Sequence, residues 1–133
     1  MYYCGMKFNE QHIDLTIINE GESIILQTQI GKSPEDILRI FENRPRTRVL
    51  VETHPEARLV ETILDDSPHE WKSLSFDEMN VIREKFGENL PQVDSTHHIA
   101  RLALFHWKTL DPPEETGGDF LHELAIGLDE NEE

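Results

Sequence analysis

Seven histidines, one cysteine and 27 carboxylates are the side chains of this 133-residue chain that could do acid–base, nucleophilic or metal chemistry. Their spacing narrows what each can do. His97 and His98 are adjacent, so on a helix they face different ways, and neither His54 nor His106 has a partner at a metal-ligand spacing. Surface or interface positions suit these four better than a zinc site. Cys4 is the lone cysteine, which excludes an internal disulfide framework and a multi-cysteine zinc site. With no His–Asp pair to activate it, it reads as a buried, inert thiol. Glu52 closes the apolar run Val49-Leu50-Val51, and as a strand-end carboxylate it can pair with Lys7 or Arg48. Asp94 stands before Ser95-Thr96 and an apolar helix, where capping asks for such a residue. Asp14 lies inside a strand and is expected to face solvent. Trp71 and Trp107 read as core or half-buried packing, with interface anchoring as the alternative. No Gly-rich phosphate loop is present; Gly117-Gly118 reads as a turn.

These residues need elements to position them. Residues 2–9 and 12–18 read as strands, the second with Ile13, Leu15 and Ile17 alternating against Asp14 and Thr16. Glu20-Gly21-Glu22 is a turn, and residues 23–30 form a third strand with Ile24, Leu26, Thr28 and Ile30 on one face. Short connections make these three an antiparallel meander. Ser33-Pro34-Glu35-Asp36 starts a helix, with Ser as cap, Pro at the first position and acids in the first turn. That helix ends near Asn43–Pro45. Val49-Leu50-Val51 is a strand buried on both faces. Thr53-His54-Pro55-Glu56 opens a helix with Leu59, Val60, Ile63 and Leu64 as its stripe. Residues 70–74 are a weak fifth strand. Ser75-Phe76-Asp77-Glu78 is a capping box, and its helix runs to Phe86 and stops at Gly87. Ser95 or Thr96 opens a helix through about Leu110, ended by Asp111-Pro112-Pro113. Phe120, Leu121, Leu124, Ala125 and Leu128 repeat at helical spacing in the segment beyond. The order β-β-β-α-β-α-β-α-α predicts an α/β fold of ribonuclease-H-like type, with a three-stranded antiparallel meander, parallel strands and flanking helices.

Three short segments then resemble one family, the bacterial insertion-sequence transposases with an RuvC-like N-terminal domain. Gly5-Met6-Lys7-Phe8-Asn9-Glu10 followed by Ile13-Asp14-Leu15-Thr16-Ile17 is similar to the family's first two strands. Val49-Leu50-Val51-Glu52-Thr53-His54-Pro55-Glu56-Ala57 looks like its fourth strand and turn. Gln92-Val93-Asp94-Ser95-Thr96-His97-His98, running into Ile99-Ala100-Arg101-Leu102, resembles the segment that closes its site. The resemblance spans roughly residues 3–105.

That family's chemistry uses four carboxylates around two Mg²⁺ ions, which activate a nucleophile and steady the leaving oxygen of a phosphodiester. The resemblance implies Glu52 and Asp94 as catalytic and metal-binding residues. The other member of the last acidic pair falls on His97, Ser95 or Gln92. The first acid, the central ligand, falls on Lys7, whose ammonium repels Mg²⁺ and can instead pair with Glu52. The family's downstream domain, which supplies a serine, has no counterpart in this sequence. The expectation is therefore a stand-alone, catalytically degenerate relative with no cofactor, or Mg²⁺ if it is active. A protein-interaction module of ribonuclease-H-like or actin-like fold is one alternative. An unusual Mg²⁺-dependent nuclease, with Asp14 or another acid as first ligand, is the other.

Charge bears on partners. Twelve basic and 27 acidic residues give −15, and residues 111–133 hold nine acids with no Lys or Arg. The first 110 residues thus carry 12 basic and 18 acidic residues, a net −6. We divide the chain into a domain at 1–110 and an acidic tail with a short amphipathic helix at 111–133. The tail's apolar stripe can fold back, dock on a partner or make a dimer. Nonspecific nucleic-acid binding needs a basic surface, and only Arg39, Arg44, Arg46 and Arg48 offer a local one. The partners left open are DNA, a basic protein and a second copy of the chain. At 37% hydrophobic residues, with no run long enough to span a bilayer and no signal-peptide pattern at the start, the expectation is a cytoplasmic protein that does not enter membranes.

Overall fold

β-Branched alternation and well-placed caps build five strands and four helices in the order expected. The computed structural model describes residues 1–86 and 95–110. Strands β1 (Tyr2–Phe8), β2 (Ile13–Ile18) and β3 (Ile24–Ile30) form the antiparallel meander. Helix α1 (Pro34–Phe41) leads to β4 (Thr47–Glu52), and α2 (Arg58–Asp65) leads to β5 (Glu70–Leu74). Helices α3 (Phe76–Phe86) and α4 (Thr96–His106) follow. One mixed sheet results, in the order β3-β2-β1-β4-β5, with β4 parallel to both β1 and β5.

The sheet separates two apolar layers. Cys4, Met6, Leu15, Ile17, Val49 and Val51 pack against Ile37 and Phe41 of α1 and Val60 and Leu64 of α2. On the opposite face Tyr3, Ile18, Leu50 and Leu74 pack against Met79 of α3 and Ile99, Leu102 and Ala103 of α4. Each fully buried Leu, Ile or Val contributes about 1.5–3 kcal/mol, so both layers are needed to offset the chain entropy of one small domain. The central strands have almost no exposed side chains, which is why their sequences are continuous apolar runs.

The caps follow the sequence. Ser33 Oγ accepts from the Asp36 N–H at 3.2 Å. Ser75 and Glu78 exchange side-chain-to-backbone bonds of 3.1 and 2.8 Å. Ser95 Oγ accepts from the His98 N–H at 3.3 Å, so Ser95 does the capping expected of Asp94. Three details differ from expectation. The second helix begins as a 3-10 turn, Pro55–Ala57, capped by His54. The last one tightens into a 3-10 turn, Trp107–Thr109, before Leu110. A bulge between Ile17 and Ile18 sets Ile24 opposite Ile18 of the α4 side, so Ile24 does not share a face with Leu26. No helix among the described residues is long and apolar enough to cross a membrane. The expected stop at Gly87 and the whole of 111–133 lie outside the described residues.

Candidate functional site

In an open α/β sheet, ligands bind beyond the carboxyl ends of the parallel strands where successive connections diverge. Here that point lies between β1 and β4. The chain leaves β1 for β2 on one side and leaves β4 for β5 on the other. Lys7 is one residue from the end of β1, and Glu52 ends β4. Pairing sets Met6 beside Val51 and Lys7 opposite Asp14. Side chains alternate across a sheet, so Lys7, Asp14 and Glu52 share the face that α4 covers, the face of Tyr3, Ile18 and Leu50.

On that face, over β1, β2 and β3 at the start of α4, a cleft of about 440 Å³ is lined by Lys7, Asp14, Gln27, Gln29, Ser95 and Thr96; Glu52 is not part of its lining. The start of α4 is held against the sheet by a buried hydrogen bond of 2.7 Å between Thr96 Oγ1 and Thr16 Oγ1. Gln27 Nε2 donates to the same Thr16 oxygen at 3.2 Å. Asp14 is partly exposed, its side chain 31% accessible on the cleft wall. Its carboxylate accepts from Asn9 Nδ2 at 2.5 Å and stands 3.4 Å from His12 Nε2. The β1–β2 loop is thereby folded over Asp14.

The rim of this end is cross-linked. Lys32 Nζ donates to the Glu10 carbonyl at 2.8 Å and to Glu56 Oε1 at 2.6 Å. The Lys32 hydrogen bond holds the exposed Glu56 carboxyl below the usual range. His54 stacks on Phe8 with centroids 5.5 Å apart, and its Nδ1 accepts from the Glu56 N–H at 3.0 Å. It serves as cap and packing group.

The expected pairing of Glu52 with Lys7 or Arg48 does not form. Arg48 Nε bonds Glu70 Oε1 at 2.9 Å, and Arg46 bonds the other carboxylate oxygen at 2.7 Å. Burial works to raise the Glu70 carboxyl, but the two guanidiniums outweigh it and hold it low. Arg39 sits 3.6 Å from Asp36, and Arg44 donates to the Ile40 carbonyl. Each of the four arginines thus has a partner within the chain, while Arg39 and Arg46 remain largely exposed. Lys7 and Glu52 form no ion pair within 4 Å among the described residues.

Asp94, the other expected ligand, lies outside the described residues, as does Gln92. Among the described residues no three histidine, cysteine or carboxylate side chains converge to hold a metal ion. Cys4 is fully buried, and burial pushes its thiol far up, so it is inert as expected. Trp107 is buried beneath Lys72, whose Nζ lies 4.7 Å from the ring centroid, and Trp71 donates to Asp65 at 2.9 Å. His97 and His98, successive residues of α4, have ring centroids 6.1 Å apart.

Gln27 and Gln29 were not singled out from sequence. The available signal was their two-residue spacing on a strand paired with β2, which puts them opposite Thr16 and Asp14. No protein-family model matches this sequence, and no curated protein is significantly similar to it.

Proposed function

We propose that the chain is a ribonuclease-H-like relative of the RuvC-like domain of insertion-sequence transposases in which phosphodiester hydrolysis has been lost. The element order and the sheet order β3-β2-β1-β4-β5, with α1 and α2 on one face and α4 on the other, support the fold part of this reading. One observation carries the functional part. Lys7 occupies the strand position where the resemblance calls for the central acid, on the face shared by Asp14 and Glu52, at the start of α4.

A carboxylate there would bring −1 to two dications, whereas an ammonium brings +1 and offers no lone pair while protonated. At about 4 Å and an effective dielectric near 20, two unit charges interact by about 4 kcal/mol. Replacing attraction by repulsion of a dication at this one position therefore removes one acid's attraction and cancels that of a second. What Lys7 can do is contact one phosphate oxygen or carboxylate directly. A protonated lysine offers no lone pair to take a proton from water, so the site binds without cutting. With the body at −6 and one lysine to meet a phosphate, binding to DNA is weak and its salt dependence shallow.

The test is a Mn²⁺ titration read by amide NMR, run beside cleavage assays on branched and single-stranded DNA. Wild type should cleave nothing and show no selective broadening around Lys7 and Glu52. Lys7→Asp should gain that broadening, and Lys7→Asp/Glu52→Gln should lose it again. Mg²⁺-dependent cleavage by wild type that disappears in Glu52→Gln would instead establish an unusual nuclease.

A further inference from the structure

The outer edge of β3 is unlike the rest of this chain. Charged residues make up 29% of the sequence, yet the seven residues Ile24-Ile25-Leu26-Gln27-Thr28-Gln29-Ile30 include none, and no proline or glycine interrupts them. β3 is the end strand of the sheet. Edge strands are normally blunted by charge, proline or brevity, because unpaired N–H and C=O groups invite another strand. The opposite edge, β5, is shorter and carries Glu70 and Lys72. The β3 edge also carries apolar surface at its start. Ile24 and Ile25 are 49% and 38% exposed. Glu22, two residues before Ile24, forms an ion pair of 3.2 Å with Arg101 of α4, and Phe105, one helical turn past Arg101, is 46% exposed.

We infer that the β3 edge pairs antiparallel with the β3 edge of a second copy of this chain, joining two five-stranded sheets across a two-fold axis. Charge argues for a second copy as the occupant. Antiparallel pairing brings Glu22 of one strand level with Lys32 at the far end of its mate, and the reverse at the other end, while Glu20 and Glu22 keep the Met1 ammonium and Arg101 as partners within their own chain. Lys32 holds Glu56 within its own chain, and a second carboxylate adds to that arrangement. Edge-to-edge contact through the uncharged strand also keeps two acidic bodies on opposite sides of the junction, where repulsion is smallest. The contact is isologous, as a two-fold interface requires. This inference does not rest on the loss of catalysis proposed above.

The experiment is sedimentation equilibrium of the full chain over a hundredfold range of concentration, with hydrogen exchange at both extremes. Wild type should shift toward twice the 15.5 kDa monomer mass, and amides of Ile24–Ile30 should gain protection as the dimer forms. Ile25→Lys and Phe105→Lys, with circular dichroism unchanged, should each weaken dimerisation at least tenfold. Leu38→Lys, at an exposed position on α1, should not weaken it. A monomer at every concentration overturns the proposal, and so does a dimer indifferent to Ile25→Lys or one equally sensitive to Leu38→Lys. A monomer whose β3 amides are protected at all concentrations also overturns it, since the edge is then covered from within the chain.

Discussion

Gly5 has no side chain because α4 lies where one would be. A Cβ there would meet the Thr96 carbonyl oxygen, the Ala100 nitrogen at 2.5 Å and Ile99 Cβ at 2.8 Å. Two of these three are backbone atoms of a helix packed on the central strand and cannot swing aside. Gly5→Ala should therefore cost about 3 kcal/mol or more, the upper end for overpacking, measured as a lower urea midpoint. An unchanged midpoint would mean α4 is not seated on β1. His69 gives the second prediction at this scale. It is buried at 8% exposure, its Nδ1 accepts from the Thr47 N–H at 3.0 Å, and it bonds the Phe41 backbone. Burial lowers its pKa below the ordinary 6.5. The unfolded chain thus takes up the proton first as pH falls. The stability His69 contributes is complete above about pH 6.5 and is lost as pH falls through the lower folded value. His97 and His106, also lowered by burial, add in the same direction, while Glu56 and Glu70 act only below their ordinary 4.5. Urea midpoints should fall between pH 7.5 and 5.5. His69→Asn, whose Oδ1 can accept from Thr47 without titrating, should flatten that fall, and an identical slope would remove His69 as its cause.

At the scale of elements, what was legible in the sequence was local and what was not was tertiary. Ser33-Pro34, the Ser75–Glu78 box and the β2 alternation each encode their structure within four residues, and each element forms within about a residue of its expected place. The bulge opposite Ile17–Ile18 has no glycine to announce it, so the face of Ile24 could not be read. Arg48 chose Glu70 over Glu52 because β5 pairs parallel with β4 and brings Glu70 opposite Arg48, a register that no spacing in one sequence reveals. His69 looked like any other histidine until Thr47 and Phe41 closed around it. The positions of Lys7 and Glu52 near the carboxyl ends of β1 and β4 were legible because both strands have a marked pattern. The cleft wall from β3 was not, because glutamines carry no motif. The joint between β2 and α4 yields a third prediction. Thr16 and Thr96 bury a shared hydroxyl bond, and removing one partner strands the other, at about 1–3 kcal/mol. Thr16→Val/Thr96→Val should cost about 1 kcal/mol less than the sum of the two single changes, the coupling read in a double-mutant cycle. Strict additivity would mean the two hydroxyls do not depend on each other. Gln27, which also bonds Thr16, should partly shelter Thr16 and make Thr96→Val the milder single change.

For the whole molecule the governing quantity is −15, of which the segment 111–133 supplies nine acids without a base. Self-repulsion of this size opposes the compact state, and salt screens it over a Debye length of about 8–10 Å near physiological ionic strength. The ion pairs among the described residues that counter it are mostly exposed on at least one side, such as Lys32–Glu56 and Arg39–Asp36, and exposed pairs contribute only about 0–1 kcal/mol each. Repulsion therefore wins over pairing, and added NaCl should raise Tm, where a protein held by surface ion pairs would show the reverse. The same account predicts what removing residues 111–133 does. The described core ends on Leu110, fully buried beside Trp107 and Ala103, so residues 1–110 should fold with a single cooperative transition. Their net charge falls to −6, and the rise of Tm between 20 and 500 mM NaCl should shrink by more than half. Scanning calorimetry of the two chains at both salt concentrations decides it. Loss of cooperativity in residues 1–110 would make the acidic segment part of the folded core, and an undiminished salt response would locate the repulsion in the body itself.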